Sequence, residues 1–429
     1  MSANALEMTD IRIGFVPLAD AAPIIMAKEA GIFEKYGLNV TLEKVSSWAR
    51  MRDLLAVGDL HAAHMLAPMV IASVMGLEPG TPPFTTAMAL NMNGNAITVS
   101  NSLYAAMYQA NPDAMKVRPI TAAALKSVVS ARQNSGQKPL TFAMVYPFSS
   151  HNYQLRYWLA AAGLHPDRDV TLVVVPPPKV MEYMKAGIID GYCVGEPWNS
   201  EAIVNGVGTT LVTSHELMGL APEKVLGVCQ SWSNENPNTY RAILSAILES
   251  SQRLDTKDAL AETASIMSVS AYLDLPAKRI LPALTGAQRQ TSGNVIQDMP
   301  DFSVFYRYAA NFPWRSHAIW FMTQMYRWGQ IKHALNFKDI SERAYRPDIF
   351  REVAKLGGHI FPTIDMKNEG DQIHPWVLSE ASSPTALGPN KSIDGRIFKP
   401  NDPIAYIEGF EHHSLRLELS DLIHENISN

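Results

Sequence analysis

The chain has 429 residues, a net charge of −5, 47% hydrophobic residues and 18% charged residues. This length is too great for one ordinary core and predicts two domains or two lobes, and the composition excludes a disordered chain. No block of Lys and Arg is present, so the chain lacks the basic face that direct binding to nucleic acid or to an anionic membrane requires.

The N-terminus is polar and includes Glu7 and Asp10. A secretory signal needs a positive segment, an apolar segment of about 7–15 residues and a small-residue cleavage site, and none is visible. This predicts a cytoplasmic location. No apolar run approaches the roughly 18 residues of a membrane span. The two cysteines, Cys193 and Cys229, are too few for a disulfide framework and are predicted to be buried small side chains.

The first hundred residues alternate between strand-like and helix-like segments. The predicted segments are a strand over 11–15, a helix over 21–30, a strand over 38–44, a helix over 48–57, and strands over 84–90 and 96–100. Such alternation predicts a mostly parallel sheet with helices on its faces.

A second set of βα units spans about 95–224. It comprises a helix over 120–132, a strand over 140–145, a helix over 150–162, a strand over 170–175 and a helix over 180–186. Residues 186–199 follow, and they read as a buried strand bounded by glycines that ends in a polar, aromatic turn. Small ligands bind at such strand ends in α/β proteins.

The remainder is mainly helical, with helices predicted over 239–253, 258–267, 277–284 and 316–328 and a loop over 362–391. We therefore predict an α/β fold of two lobes with a central cleft. Residues 1–95 and 225–429 form the first lobe with an all-helical C-terminal extension packed on it, and residues 96–224 form an inserted second lobe. Ligands of such proteins bind between the lobes, and hinge closure accompanies binding.

Common catalytic motifs are absent. The sequence contains no P-loop, no dinucleotide-binding glycine motif, no zinc-protease motif, no nucleophile elbow and no EF-hand loop. His61 and His64 are three residues apart, but their neighbours supply no further metal ligands, so a metal site is not expected.

Several segments together resemble the nitrate- and bicarbonate-binding proteins of ABC importers. The clearest is G-x-x-D-x-x-x-V-G-E-P-W-N, which runs from Gly187 to Asn199. The others are residues 14–20, 47–48, 52–53, 63–69, 90–94, 151–163, 174–178, 327–329 and 393–406. The resemblance covers nearly the whole chain and implies a type II periplasmic-binding fold with a C-terminal extension.

Carried over residue by residue, the nitrate pocket of this family falls on Trp48, Asn95, His151, Gly195 and Lys224. Lysine supplies a charge and three donors, and a histidine near a helix N-terminus can donate where the helix favours negative charge. Glycine lets its backbone N–H approach a ligand closely, tryptophan offers an indole N–H and a wall, and asparagine offers an amide. No metal or cofactor is implied.

Each of these residues also has an ordinary structural interpretation. Trp48 suits packing, His151 suits helix capping, and Lys224 suits a solvated surface. Asn95 departs from the family, which usually has Gln there, and the shorter side chain indicates a tighter pocket or an altered preference between nitrate and nitrite. Bicarbonate-binding relatives carry Glu at the position of Lys224, so Lys224 favours an anion bound without metal.

The sequence is compatible with three functions. The resemblance to the cytoplasmic NasS branch implies a nitrate/nitrite sensor that holds an RNA-binding antiterminator of the NasT type and releases it when ligand closes the cleft. The alternative is the binding component of a nitrate importer. An enzyme is the third possibility, because the same fold supports thiamin-pyrimidine synthases, but their cysteine-rich motif is absent.

Overall fold

Two five-stranded sheets organise the molecule, and a C-terminal extension packs beside them. A computed structural model describes residues 5–289 and 296–427. The strands are β1 (Asp10–Phe15), β2 (Asn39–Lys44), β3 (Ala62–Leu66), β4 (Phe84–Ala89), β5 (Met92–Asn93), β6 (Asn95–Ser100), β7 (Thr141–Met144), β8 (Thr171–Val174), β9 (Gly191–Gly195), β10 (Gly208–Thr213), β11 (Lys224–Cys229), β12 (Ala287–Arg289), β13 (Ile296–Asp298), β14 (Ser303–Val304), β15 (Trp376–Leu378) and β16 (Thr385–Leu387).

The helices connect and cover these strands. They are α1 (Ala22–Glu29), α2 (Ile32–Lys35), α3 (Trp48–Ala56), α4 (Ala67–Val74), α5 (Asn101–Ala110), α6 (Ala123–Asn134), α7 (Ser150–Ala161), α8 (Val180–Lys185), α9 (Trp198–Val204), α10 (Ser214–Met218), α11 (Gln230–Glu235), α12 (Pro237–Arg253), α13 (Lys257–Met267), α14 (Ala277–Thr285), α15 (Arg315–Arg327), α16 (Phe337–Ala344), α17 (Pro347–Gly357), α18 (Pro403–Glu408) and α19 (Leu419–Ile427). Short 3-10 turns lie at Ala19–Ala21, Pro177–Lys179 and Arg307–Ala309.

The first sheet has the strand order β2-β1-β3-β11-β4 and the second has the order β10-β6-β9-β7-β8. Within each sheet the strands of βα units pair in parallel, as predicted. Strands β6 and β11 instead run antiparallel to their neighbours. Each of these two strands arrives from the other lobe and enters its sheet where the βα strands end, so it must run in the opposite direction.

Five strands of the two sheets, including the edge strands β4 and β10, are buried on both faces. Every residue of β3, β4, β9, β10 and β11 is buried, which is expected for a sheet covered by helices. Helices α3 and α7 begin beside these strands, and each is capped by a serine: Ser47 Oγ accepts from Arg50 N and Ser149 Oγ accepts from Asn152 N. The caps fix the first turns of two helices that face the cleft.

The C-terminal extension differs from the prediction in two respects. It is not all-helical, because β15 and β16 pair as a hairpin inside the segment predicted as a loop. It also contacts both lobes rather than the first alone: α15 packs against α4 of the first lobe and α7 of the second, and α16 and α17 pack against the first. Helix α15 is buried on all sides, so both lobes share its surface. None of the helices in the described ranges combines the length and apolar character that a bilayer crossing requires.

Candidate functional site

The structure brings the five predicted site residues together where the chain crosses between the sheets. Each lies at the end of an element: Trp48 begins α3, Asn95 begins β6, His151 is the second residue of α7, Gly195 ends β9 and Lys224 begins β11. Asn95 and Gly195 are paired across the antiparallel β6–β9 ladder. All five are buried, so this cluster is a sealed polar centre inside an apolar surrounding.

Lys224 is the cation of this centre. Its Nζ donates to Asp20 Oδ2 at 2.9 Å and also to the carboxylate of its neighbour Glu223. The ammonium lies 5.5 Å from the centre of the Trp48 ring, within the range of a cation–π contact. The lysine is therefore not the solvated side chain of the ordinary interpretation, because its exposure is 0%.

Glu223 joins Lys224 to the second lobe. Its carboxylate accepts Asn95 Nδ2 at 2.8 Å and the hydroxyl of Ser150, and His151 Nε2 lies 3.6 Å from it. The N-terminus of α7 thus faces a carboxylate, as expected from the positive end of a helix. Asn95 Nδ2 also donates to Gln154 Oε1 at 3.1 Å, which places Gln154 at the edge of the site.

Asp20 and His64 complete the first-lobe side. His64 Nε2 lies 3.0 Å from Asp20 Oδ1, and the His64 and Trp48 rings meet edge to face with centroids 5.6 Å apart. From the sequence, His64 suggests only a possible metal ligand. Within the described ranges, no three His, Cys, Asp or Glu side chains are grouped as a metal site would require, so the structure gives this histidine a place in the polar centre instead.

The charges of the centre are strongly coupled. Burial alone would raise the pKa of the Asp20 carboxyl, but Lys224 and His64 lower it well below its ordinary value. Burial alone would lower the pKa of Lys224, but Asp20 and Glu223 raise it. Burial lowers the pKa of His151 to about 4, so this ring is neutral near pH 7. One ammonium thus faces two carboxylates beside a neutral imidazole, so it offsets only one of the two negative charges.

Several polar atoms of the centre have no hydrogen-bond partner among the described residues. They are the Trp48 indole Nε1, His64 Nδ1, both ring nitrogens of His151 and Asn95 Oδ1, whereas His64 Nε2 and Asp20 Oδ1 face each other at 3.0 Å. An indole nitrogen is a donor only, and each neutral imidazole carries one N–H donor. Buried donors are nearly always satisfied. Two N–H donors without a protein acceptor, those of Trp48 and His151, therefore lie near Lys224, an arrangement that suits a small acceptor-only ligand such as an oxyanion.

Gly195 is close to two oxygen atoms of the centre. A methyl group at its Cα would lie 3.3 Å from Asn95 Oδ1 and 3.7 Å from Asp20 Oδ2. Any larger side chain would fill this corner. The glycine thus keeps space beside the polar centre, in line with the sequence argument that its missing side chain permits close approach.

The turn after Gly195 connects the lobes. The carbonyl of Glu196 accepts Ala19 N at 2.8 Å, and its own N–H donates to the carbonyl of Gly94. Burial raises the pKa of the Glu196 carboxyl to about 7. The side chain bonds within the turn, where its Oε2 accepts Ser200 N at 3.2 Å. Glu196 therefore shapes the turn and holds it against the first lobe.

Sequence reasoning missed the two carboxylates of the centre, together with His64, Ser150 and Gln154. Asp20 lies in a segment that carried the resemblance, and Glu223 directly precedes Lys224. Neither position carries a pattern that predicts pairing with a lysine. Burial next to a buried cation is visible only in the folded chain.

The chain is similar to a known protein family and to several known proteins. The model of the NMT1-like family matches residues 4–268. The nitrate/nitrite binding protein NrtA of Nostoc is 32% identical, over 96% of this chain and 88% of that protein. The nitrate import ATP-binding protein NrtC of Synechocystis is 36% identical over 96% of this chain, which spans 57% of that longer relative.

A solved structure also matches along its whole length. The periplasmic nitrate-binding protein NrtA from Synechocystis superposes with a TM-score of 0.82 at 29% identity, covering 95% of this chain and 100% of that one. The predicted fold class, an α/β periplasmic-binding fold with two lobes, is thereby confirmed.

Proposed function

Because this chain belongs to the NMT1-like family, we propose that it is a binding protein, not an enzyme, for nitrate or nitrite, held at the polar centre of Lys224. The relatives are named for binding and import of nitrate or bicarbonate. Among these anions, nitrate and nitrite fit a centre that supplies N–H donors and one ammonium but no group of metal ligands in the described ranges.

The observation that carries the proposal is the set of unpartnered donors. Trp48 and His151 each bring a buried N–H to the centre of Lys224 without an acceptor within hydrogen-bond distance among the described residues. Nitrate is planar, carries three acceptor oxygens and has no donor, so it can accept from both side chains at once. Because two carboxylates face the one ammonium, the positive charge of Lys224 is more than offset, and recognition relies on these placed donors rather than on net charge.

Calorimetric titration of the purified protein tests the proposed ligand. Nitrate and nitrite are expected to bind one per chain, and bicarbonate with or without calcium is expected not to bind. Trp48→Phe keeps the ring and removes one donor, so it should weaken nitrate binding about tenfold. The control is Tyr108→Phe on α5, which removes the hydroxyl of an exposed side chain far from the change under test. It should leave nitrate binding unchanged. Absence of nitrate and nitrite binding would refute the proposal.

Closure of the cleft also contributes to the expected affinity. Arg52 Nη1 donates to Glu78 Oε1 and to the hydroxyl of Tyr146, each at 2.9 Å, and Tyr146 in turn donates to Glu78. Arg52 and Glu78 belong to the first lobe and Tyr146 to the second. Tyr146→Phe removes the hydrogen bonds that join them and should weaken nitrate binding about tenfold, because a bond to a charged group contributes roughly 1.5–3 kcal/mol.

The same titrations check the Tyr146 prediction, with Tyr183→Phe on α8 as the control, since Tyr183 is exposed at 37%. An unchanged affinity in Tyr146→Phe would mean that this contact does not contribute to closure. Small-angle scattering should show a larger radius for Tyr146→Phe than for the parent protein without nitrate.

We further propose that binding serves as a signal: the protein is a cytoplasmic nitrate/nitrite sensor that holds a NasT-type antiterminator and releases it on ligand binding. The resemblance to the NasS branch supports this, and a net charge of −5 without a basic block leaves contact with RNA to the partner. Ligand can drive release because a closed cleft presents a different surface, provided nitrate binds the closed form more tightly.

The second candidate is the binding component of a nitrate importer, which the names of the relatives favour. Both candidates share the ligand, so binding data do not separate them. A pull-down with the purified NasT-type protein, with and without nitrate, does. A complex that dissociates on nitrate addition supports the sensor. Failure to form a complex, with stimulation of transport by a reconstituted permease, supports the importer.

A further inference from the structure

A second cationic pocket lies at the seam between the second lobe and the C-terminal extension. The cavity has a volume of about 280 Å³ and is lined by Tyr157 from α7, by Gly163 just after it, and by Arg327, Phe410 and His412 of the extension. It is separate from the polar centre of Lys224, because none of the residues of that centre lines it.

Arg327 is the central group of this pocket. Its side chain is 3% exposed, and Nε donates to the carbonyl of His412 at 3.0 Å. Its Nη1 is buried without a hydrogen-bond partner, and no carboxylate of the described residues lies within ion-pair distance of the guanidinium. A buried charge without a counter-ion is costly, so an anion at this place would offset a large penalty.

Aromatic rings hold the guanidinium but do not neutralise it. The guanidinium carbon lies 3.5 Å from the centre of the Phe410 ring and 4.4 Å from that of Trp328. Such contacts contribute roughly 0.5–2 kcal/mol each and leave the N–H groups at the edge of the plane available. The rings therefore fix the orientation of Arg327 while its Nη1 remains without a hydrogen-bond partner among the described residues.

Further polar groups surround the same cavity. Arg396 lines it, and its guanidinium carbon lies 4.7 Å from the centre of the Phe410 ring. Lys126 and His412 lie beside the lining residue Gly163: a methyl group at the Cα of Gly163 would be 2.7 Å from Lys126 Nζ and 3.7 Å from His412 Nε2. The carboxylates in the lining are those of Asp394 and Glu411. Asp394 is already engaged, because it accepts the Tyr157 hydroxyl at 2.7 Å and lies 3.3 Å from Arg396 Nε.

We propose that this pocket is a second ligand site, for a small multiply charged oxyanion of the phosphate class. Two guanidinium groups suit the paired oxygens of a phosphate group, and a lysine and a histidine at the rim add point donors. The proposal is independent of nitrate binding. Because α7 starts at the polar centre and ends at this cavity, an anion here would fasten the extension to the second lobe.

Calorimetry with inorganic phosphate tests the proposal on the full chain, in the presence and absence of saturating nitrate. We expect one phosphate per chain, bound at millimolar concentrations or below, with nitrate leaving the phosphate affinity within about threefold. Arg396→Ser removes a half-exposed guanidinium and should weaken phosphate binding about tenfold without unfolding the chain. Arg253→Ser at the exposed end of α12 is the matched control and should leave the phosphate affinity unchanged.

Arg327→Gln should abolish phosphate binding and leave nitrate binding in place. If this variant does not fold, Arg396→Ser decides the question. The proposal is overturned if phosphate does not bind at millimolar concentrations, if Arg396→Ser binds it as tightly as the parent chain, or if nitrate displaces it competitively, since competition would place phosphate at Lys224. If the parent chain binds phosphate but not nitrate, the proposed function is refuted and the proposal of a second site is not.

Discussion

Replacing Lys224 by Gln is expected to abolish nitrate binding and to lower the free energy of unfolding by about 3–5 kcal/mol. The ammonium is fully buried and bonds Asp20 and Glu223. Its removal leaves two carboxylates together inside the protein without a cation, and nitrate would then approach a negative centre. Calorimetry measures the loss of binding, and urea unfolding measures the loss of stability.

Two further variants separate the effect on stability from the effect on binding. Lys224→Gln combined with Glu223→Gln removes one unpaired carboxylate and should regain part of the lost stability while nitrate binding stays absent. Lys185→Gln on α8 removes an exposed lysine and should leave both quantities unchanged. If Lys224→Gln alone bound nitrate like the parent chain, the anion would have to lie elsewhere.

Nitrate affinity is expected to rise as the pH falls from about 7 towards 5. Burial lowers the pKa of His151 to about 4, so the ring is neutral before the anion binds. A neighbouring anion favours the protonated ring and raises its pKa. Binding therefore takes up a proton in the window between the two values, and the affinity can change by at most about tenfold per pH unit.

The groups that face His151 are Glu223 and Lys224 from the crossover and Asp20 from the first lobe. Titrations in two buffers of different ionisation enthalpy count the protons taken up with nitrate. His151→Gln should abolish this uptake and flatten the pH profile. A pH-independent affinity in the parent chain, or an unchanged profile in His151→Gln, would contradict the assignment.

The same pKa has a consequence for stability without ligand. The unfolded His151 takes up a proton near its ordinary pKa of 6.5, whereas the folded ring does so near 4. The stability conferred by the neutral ring is therefore complete above pH 6.5 and is lost progressively as the pH falls towards 4. The loss is on the order of 3 kcal/mol, and His151→Gln should lack it.

Local patterns in the sequence predicted most elements close to their observed bounds. The helix predicted over 150–162 is α7, Ser150–Ala161, and that predicted over 239–253 is α12, Pro237–Arg253. These helices have capping residues or a clear apolar stripe. Strand β11 was not predicted, because its six residues are buried on both faces and show no alternation.

The five predicted site residues likewise came from motifs, and all lie at element ends beside one another. Residue type alone shows that Lys224 is a cation, Trp48 a donor and Gly195 a small residue. The groups to which these residues bond depend on their neighbours in the folded chain. Asp20 is 204 residues from Lys224 along the chain, and nothing in either segment predicts that the two side chains bond.

The sequence by itself, through its motifs and the family resemblance they carry, indicated the family, the two-lobe α/β fold and five residues of the centre, since these depend on local pattern and residue type. Only the tertiary structure decided that the lysine is paired with two carboxylates, that His151 is neutral, and that Arg327 lies in a second cationic pocket with Phe410. The physical reason is that pKa values and ion pairing depend on burial and on the distance between groups, and both arise when distant segments pack together.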